Sequence, residues 1–267
     1  GKKTRLKAAT GIFQQYPFYV GDGLAINKDY GNQDLLAERA RHVVAGFEQD
    51  FGREVMLRIE GFWKSYDRLV VYDHLKNFIN GAERQAWGFD LFLQKKLGKG
   101  LDGWITYSYI KARDRVTLRN PADPARPDYE IPFDTWFSPL HDKRHSLALV
   151  LNIALSRKYS LGITLRYATG APYTPLQSVV EQTDGATTVY LPVWGAYNSA
   201  RMPDFCRLDI KLSMPFFGIK RASSYFQIIN ALNLDNVEAY SYNADYSKRQ
   251  AQKGLPLMPV FGMKFEF

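Results

Sequence analysis

His141 and His145 stand four residues apart with Asp142 between them, in a stretch reading His-Asp-Lys-Arg-His. On a helix, imidazoles at that spacing share a face and can hold a divalent metal. A carboxylate beside an imidazole can also supply the acid and base of a hydrolase. Here the group falls at a loop-to-strand boundary, where its simplest task is to order a loop rim. Neither a catalytic role nor a metal site is assigned to it. The sequence has no Gly-rich phosphate loop, no Ser-His-Asp spacing and no Cys-x-x-Cys pair, and no cofactor is expected.

Two other sets of residues could do chemistry by binding. Arg58 with Glu60, Arg207 with Asp209, and Asp90 lie at alternate positions of extended segments, so each pair points to one side of its strand. Such charges pair with one another, and they can also guide a solute. The aromatics Trp136, Phe137, Tyr173, Trp194 and Tyr197 fall in segments without strand periodicity. Exposed there, they can stack on sugars or chelator rings, or else anchor and pack the loops themselves. Asn230 and Asn233 read as structural, satisfying backbone near a strand end.

The elements that hold these residues are strands. The final residues run Phe261-Gly-Met-Lys-Phe-Glu-Phe267. Alternation puts Phe261, Met263, Phe265 and Phe267 on one face and Gly262, Lys264 and Glu266 on the other. An aromatic row of that kind suits a transmembrane β-barrel, whose apolar face meets lipid between aromatic girdles. Period-two alternation gives about ten strands, each near the length that crosses a bilayer when tilted. They run 4–16, 38–51, 53–66, 84–97, 101–113, 143–155, 159–169, 202–215, 221–232 and 256–267. Val55, Leu57, Ile59 and Trp63 oppose Arg58, Glu60 and Lys64. Trp87, Phe89, Leu91 and Leu93 oppose Gly88, Asp90 and Gln94. Leu147, Leu149, Leu151 and Ile153 oppose Ser146, Ala148 and Asn152, while Leu208, Ile210, Leu212 and Met214 oppose Arg207, Asp209, Lys211 and Ser213. In 221–232 both faces are apolar.

Short connections at 51–54, 97–101, 156–159 and 216–220 alternate with long ones at 17–37, 67–83, 114–142, 170–201 and 233–255. A membrane barrel sorts its connections this way, with short turns at the periplasmic side and long loops outside. A compact soluble domain does not favour long loops without structure of their own.

Bulk properties agree. The chain has 267 residues, 15% aromatic content with 17 Tyr and 17 Phe, and one cysteine, Cys206, which excludes a disulfide framework. Mean hydropathy is −0.32, and no apolar run approaches a transmembrane helix. Strands that alternate lipid-facing and lumen-facing residues average out in this way. The net charge of +8 is scattered and lacks the spacing of known nucleic-acid motifs, so no nucleic acid is expected. Such a barrel could instead meet anionic lipid headgroups or an anionic solute. The chain opens on Gly1-Lys-Lys without a signal peptide and reads as a piece of a longer or processed protein.

Several segments resemble those of TonB-dependent outer-membrane receptors. Leu36-Ala-Glu-Arg-Ala-Arg-His-Val-Val-Ala-Gly-Phe-Glu48 is similar to the family's P-E-x-S-x-x-x-E-x-G strand entry, with Ala37 where Pro is usual. Glu60 to Leu69 resembles the strand that leads into the next loop. Asn80 to Leu91 resembles N-x-G-x-A-x-x-x-G-x-E, with Asp90 in the acidic place. His141 to His145 is similar to the D-x-R-H strand start, and Thr169-Gly-Ala-Pro-Tyr-Thr174 to the S/T-G-x-P-Y-T loop. Asn198 to Asp209 resembles N-x-x-R-x-P-x-Y-x-R-L-D, and Phe226 to Asn233 and Pro259-Val-Phe-Gly262 complete the set.

The resemblance implies an all-β, antiparallel transmembrane barrel of about 22 strands with a plugged lumen, of which residues 1–267 form the C-terminal part. The plug domain, the TonB box and the N-terminal strands have no counterpart in this sequence. It further implies uptake of a scarce solute of the siderophore, cobalamin or glycan class, energised by the TonB complex through the plug. The barrel would sit in the Gram-negative outer membrane among lipid and lipopolysaccharide, and the barrel-assembly machinery would read Phe261, Phe265 and Phe267.

Two other readings stay open on the residues alone. One is a ten-stranded outer-membrane protease of the omptin kind, with Asp142 and His145 as the only nearby match to its site. The other is a passive porin. In a larger barrel, strands 4–16 and 256–267 pair with further strands; otherwise they pair with each other and close a ten-stranded one.

Overall fold

The computed structural model describes residues 3–16, 34–52, 54–73, 77–98, 100–117, 131–216, 218–219 and 221–265. Phe267, most of the connection at 17–37 and the stretch 118–130 lie outside the described residues. In chain order the strands are β1 (Lys3–Gln15), β2 (Glu38–Phe51), β3 (Val55–Asp73), β4 (Asn77–Gly98), β5 (Leu101–Val116), β6 (His145–Ala154), β7 (Ser160–Ala168) and β8 (Pro172–Tyr173). They continue as β9 (Leu176–Asp184), β10 (Thr187–Trp194), β11 (Ala200–Arg201), β12 (Phe205–Pro215), β13 (Ala222–Ile229), β14 (Val237–Tyr242), β15 (Arg249–Lys253) and β16 (Met258–Phe265).

Ten of these make one antiparallel meander in the order β1-β2-β3-β4-β5-β6-β7-β12-β13-β16. Its two faces differ as the alternation requires. One outward row runs Phe47–Ile59–Leu91–Tyr107–Leu147–Tyr167–Cys206 across seven strands. The opposite face carries Glu48–Arg58–Phe92–Thr106–Ala148–Arg166–Arg207. Large apolar side chains on the first face are open, with Trp63 at 44% and Phe261 at 58% exposure. A sheet that shows such side chains on one whole face needs a nonpolar medium against it.

The two faces of β13 also become distinct. Phe226 lies opposite Leu212 and Phe261 on the apolar face, and Tyr225 lies opposite Ser213 and Gly262 on the polar one. The Tyr225 ring covers Gly262 so closely that a Cβ there would meet it at 2.3 Å. Three of the short turns place a glycine at positive φ, Gly52 at 75°, Gly100 at 85° and Gly218 at 76°, a conformation that other residues adopt at a cost.

The expected loop at 67–83 is corrected by the structure. β3 and β4 continue through it, so that only 74–76 separates them. A membrane-crossing length would end both strands near 66 and 84, but Val70-Val71 and Phe78-Ile79 are good strand formers and keep pairing beyond it. A bulge between Tyr66 and Leu69, with Arg68 at φ 61°, absorbs the register shift. Asn80 donates to Arg68 O at 2.7 Å, and Val70 N–H donates to Glu38 Oε1 at 2.8 Å, which hold the bulge in place. The connections 170–201 and 233–255 likewise contain hairpins, β9–β10 and β14–β15. Within the described residues β1 and β16 are the edges of the sheet and do not pair, so it is not a closed ten-stranded barrel.

Candidate functional site

At the long-loop end, the connections after β5, β7 and β13 converge. Asp142 is their centre. Its buried carboxylate accepts the Ala112 N–H at 3.0 Å and faces the Arg201 guanidinium at 2.5 Å. Arg201 also donates to the carbonyls of Asp142, at 2.6 Å, and Gly170, at 3.0 Å. One guanidinium therefore ties β5, the stretch before β6 and the stretch after β7. Nearby, Asn198 donates to Ser138 O at 2.8 Å, while its own N–H donates to Thr174 Oγ1 at 3.0 Å. Asp204 accepts from the Tyr167 hydroxyl at 2.6 Å and from Gly170 N–H at 3.1 Å. Chiefly the hydroxyl, and then the amide, hold this carboxyl below its ordinary range. Burial, aided by the charge of Arg84, lowers the His141 imidazole below its usual value, so His141 favours the neutral form.

On this braced base stands a cluster of aromatic rings. Tyr173 meets Tyr240 at 5.4 Å between centroids, and Trp194 meets Tyr242 at 6.0 Å and Tyr246 at 6.3 Å. The Arg249 guanidinium lies 4.3 Å over the Tyr240 ring. The hairpins β9–β10 and β14–β15 thus share one aromatic surface with a cation on it. The rings and the cation can stack on planar groups and draw anionic ones.

The expected site residues divide into several places. Tyr173 and Trp194 belong to the cluster. Phe137 packs edge-on against Tyr197 at 5.0 Å. Trp136 lies between two guanidinium groups, 4.6 Å from Arg113 and 5.0 Å from Arg115. Arg58 and Glu60 are 3.5 Å apart, and Arg207 and Asp209 are 3.0 Å apart, all on the polar face. Asp90 stands directly across from Glu60. Phe261 and Phe265 lie on the apolar face. The sequence reading did not reach Tyr240, Tyr242, Tyr246 or Arg249, although Tyr240-Ser-Tyr242 has the spacing that puts two rings on one side of a strand.

His145 shares no hydrogen bond or ion pair with Asp142. Its Nδ1 is 2.7 Å from the Tyr107 hydroxyl, and its register partner is Tyr109, on the apolar face. That placement removes the acid–base pair which the protease reading required. Among the described residues no group of three His, Cys, Asp or Glu side chains converges as metal ligands.

No protein-family model matches the chain, and no characterised protein matches it by sequence. Solved structures do match it. The ferric yersiniabactin uptake receptor FyuA of Yersinia pestis aligns over 100% of this chain and 35% of its own length, at 15% identity and TM-score 0.63. The FrpB iron transporter of Neisseria meningitidis aligns over 99% and 37%, at 16% identity and TM-score 0.65. The ferric-catecholate import receptor Fiu of Escherichia coli K12 aligns over 99% and 33%, at 15% identity and TM-score 0.62. The chain therefore spans about a third of the length of each of these three solved chains. Its fold is that of a portion of the transmembrane β-barrel of TonB-dependent outer-membrane receptors.

Proposed function

We propose that this chain is part of the barrel of an outer-membrane receptor that captures a scarce solute at its long-loop end and admits it when energised through TonB. The apolar face then meets lipid, the polar face lines the lumen, and the long loops lie outside the cell. In this reading residues 1–267 are the C-terminal part of the barrel domain. The open edges at β1 and β16 support it, because unpaired strand edges in lipid cost several kcal/mol per group and call for neighbouring strands. Contact with TonB would run through a plug elsewhere in the protein.

The observation that carries the proposal is the aromatic surface of Tyr173, Trp194, Tyr240, Tyr242 and Tyr246 with Arg249, held outside the membrane by the Asp142–Arg201 brace. A siderophore-class chelate suits it best, since it presents planar rings and anionic oxygens to rings and a guanidinium. The names of the three solved receptors, all concerned with iron, point the same way. Cobalamin and glycans are the other solutes these rings could hold.

The test is ligand binding by the full-length protein, using a panel of ferric catecholate and hydroxamate chelates, cobalamin and oligosaccharides. The Trp194→Ala/Tyr240→Ala double variant is expected to weaken the bound member roughly tenfold or more, from ~0.5–1.5 kcal/mol per stacked ring. Uptake of that solute should stop when the proton gradient is dissipated. Binding of every panel member unchanged in the variant, or uptake indifferent to the gradient, overturns the reading.

A further inference from the structure

The apolar face changes character over three successive rows at its long-loop end. The row Ala45–Gly61–Phe89–Tyr109 is followed by Val43–Trp63–Trp87–Lys111, and that by Arg41–Ser65–Gln85–Arg113. Beyond them, Arg39 lies across from Asp67, and Glu83 across from Arg115. Lipid-facing apolar residues thus give way to a tryptophan girdle and then to arginines within two steps of each strand, at about 7 Å per step.

These cations are held in place. Lys111 Nζ sits 5.5 Å over the Trp87 ring, and the Arg113 guanidinium lies 5.5 Å from the same ring. Trp136, which the connection after β5 folds back onto this face, stacks against Arg113 at 4.6 Å and Arg115 at 5.0 Å. Arg113 also donates to Gln85 Oε1 at 2.7 Å, a neutral partner. Arg115 is answered by Glu83 at 2.8 Å and Asp134 at 3.5 Å, while Arg39 and Arg41 share Asp67 at 2.9 and 3.1 Å. With Arg68, 3.8 Å from the same Asp67, the band therefore holds six cations (Arg39, Arg41, Arg68, Lys111, Arg113, Arg115) against three carboxylates (Asp67, Glu83, Asp134). Among the described residues neither Lys111 nor Arg113 meets a carboxylate within ion-pair distance.

We propose that Lys111 and Arg113, flanked by Trp87 and Trp136, form a docking site on the outside of the barrel for the phosphate of a phosphorylated glycolipid in the outer leaflet. The proposal rests on the membrane topology of the preceding section, and it is independent of which solute the loops bind. Charge complementarity selects the occupant: excess positive charge stands on the lipid side, one row above the rings that mark the hydrocarbon boundary. Acyl chains of a lipid seated there would run down over Trp63, Phe89 and Leu91, while its phosphate meets the ammonium and the guanidinium. A water-soluble anion has no use for the apolar rows beneath.

Native mass spectrometry of the full-length protein in detergent, titrated with diphosphoryl lipid A, tests this. Lys111→Gln/Arg113→Gln is expected to weaken binding roughly thirtyfold, from the attraction contributed by each basic residue at a membrane surface. Dephosphorylated lipid A should bind wild type and variant equally weakly. Inorganic phosphate at millimolar concentration should not displace the lipid. Arg166→Gln, which removes a cation from the lumen face, should leave lipid binding unchanged. Equal lipid A binding by wild type and double variant overturns the proposal, as does equal binding of the dephosphorylated lipid to wild type. Displacement by inorganic phosphate alone assigns the site to a soluble anion and overturns it too. Heat-dependent mobility on gels reports folding, and if the double variant fails to fold, Arg113→Gln alone is read in the same titration, with a loss of about fivefold expected. Chelate binding by the loops serves as the separate readout of the receptor reading.

Discussion

Arg201 binds Asp142 twice, once at its carboxylate and once at its carbonyl, across 59 residues of sequence. The carboxylate is fully enclosed, whereas the arginine remains partly open, so the pair is asymmetric in what it stands to lose. Removing Arg201 leaves a buried acceptor with the Ala112 amide at 3.0 Å and the Arg144 guanidinium at 3.5 Å as its remaining partners.

Arg201→Ala is therefore expected to loosen the loop base by ~1–3 kcal/mol, the cost of an under-satisfied buried polar group. The effect should be local, because the ladder between β5 and β6 does not depend on it. Hydrogen exchange at the Ala112 and Gly170 amides is the direct measure, with external protease cleavage of the loops as a second. Exchange at both amides unchanged from wild type would mean that the brace contributes nothing.

The lipid-facing rows give a second expectation. Leu91→Arg, which puts a charge on the row Ile59–Leu91–Tyr107, should cost ~2–4 kcal/mol in bilayer folding experiments. Gln94→Arg, on the opposite face of the same strand, should cost little. Equal destabilisation of the two variants in urea titrations would reverse the assignment of faces.

Much of this was legible in the residues. Alternation in β3, β4, β6 and β12 was strong enough to fix both faces, because a one-residue slip moves every side chain to the other side. The turn positions were legible through Gly52, Gly100 and Gly218. The course of 67–83 was not, since membrane thickness says where a strand may stop and nothing about whether it must. Nor was the aromatic site. Tyr173 and Trp194 could be named one at a time, but their contacts with Tyr240, Tyr242 and Tyr246 join residues about 50 to 70 apart through two hairpins, and sequence spacing carries no such pairing. Trp136 illustrates the same limit: its residue type suggested ligand stacking, and its position places it among arginines on the outside of the wall.

Acid should act on the loops through Asp204. Its carboxyl is held below its ordinary value in the folded state by Tyr167 and Gly170. A group so depressed contributes stability above its unfolded pKa, and that contribution disappears as pH falls through the folded pKa. Protection of the Gly170 amide should thus be constant near neutrality and decline below the ordinary carboxylate range. In Asp204→Asn the decline should vanish, with lower protection at all pH values. A wild-type profile that stays flat to the most acidic measurable pH would remove Asp204 from this role.

Asn230 offers the sharpest separation of two effects at one position. It is 0% exposed and holds φ at 53°, in the left-handed region that costs most residues ~1–2 kcal/mol. Its side chain donates to the Leu234 and Leu255 carbonyls, both at 3.0 Å, and accepts the Leu234 N–H at 3.2 Å. These bonds join the two ends of the connection that carries the β14–β15 hairpin. A fourth bond, from its backbone N–H to Asp209 Oδ1 at 3.0 Å, survives any substitution that keeps the backbone conformation. Asn230→Gly keeps that conformation free of strain and loses only the side-chain bonds, so it should cost ~1–3 kcal/mol. Asn230→Ala loses the same bonds and adds the left-handed penalty, so it should fall lower by a further ~1–2 kcal/mol. Urea midpoints of the refolded protein, with chelate binding measured alongside, resolve the two. Glycine and alanine variants of equal stability would show that the backbone conformation is not retained, and two neutral variants would show that Asn230 does not hold the hairpin in place.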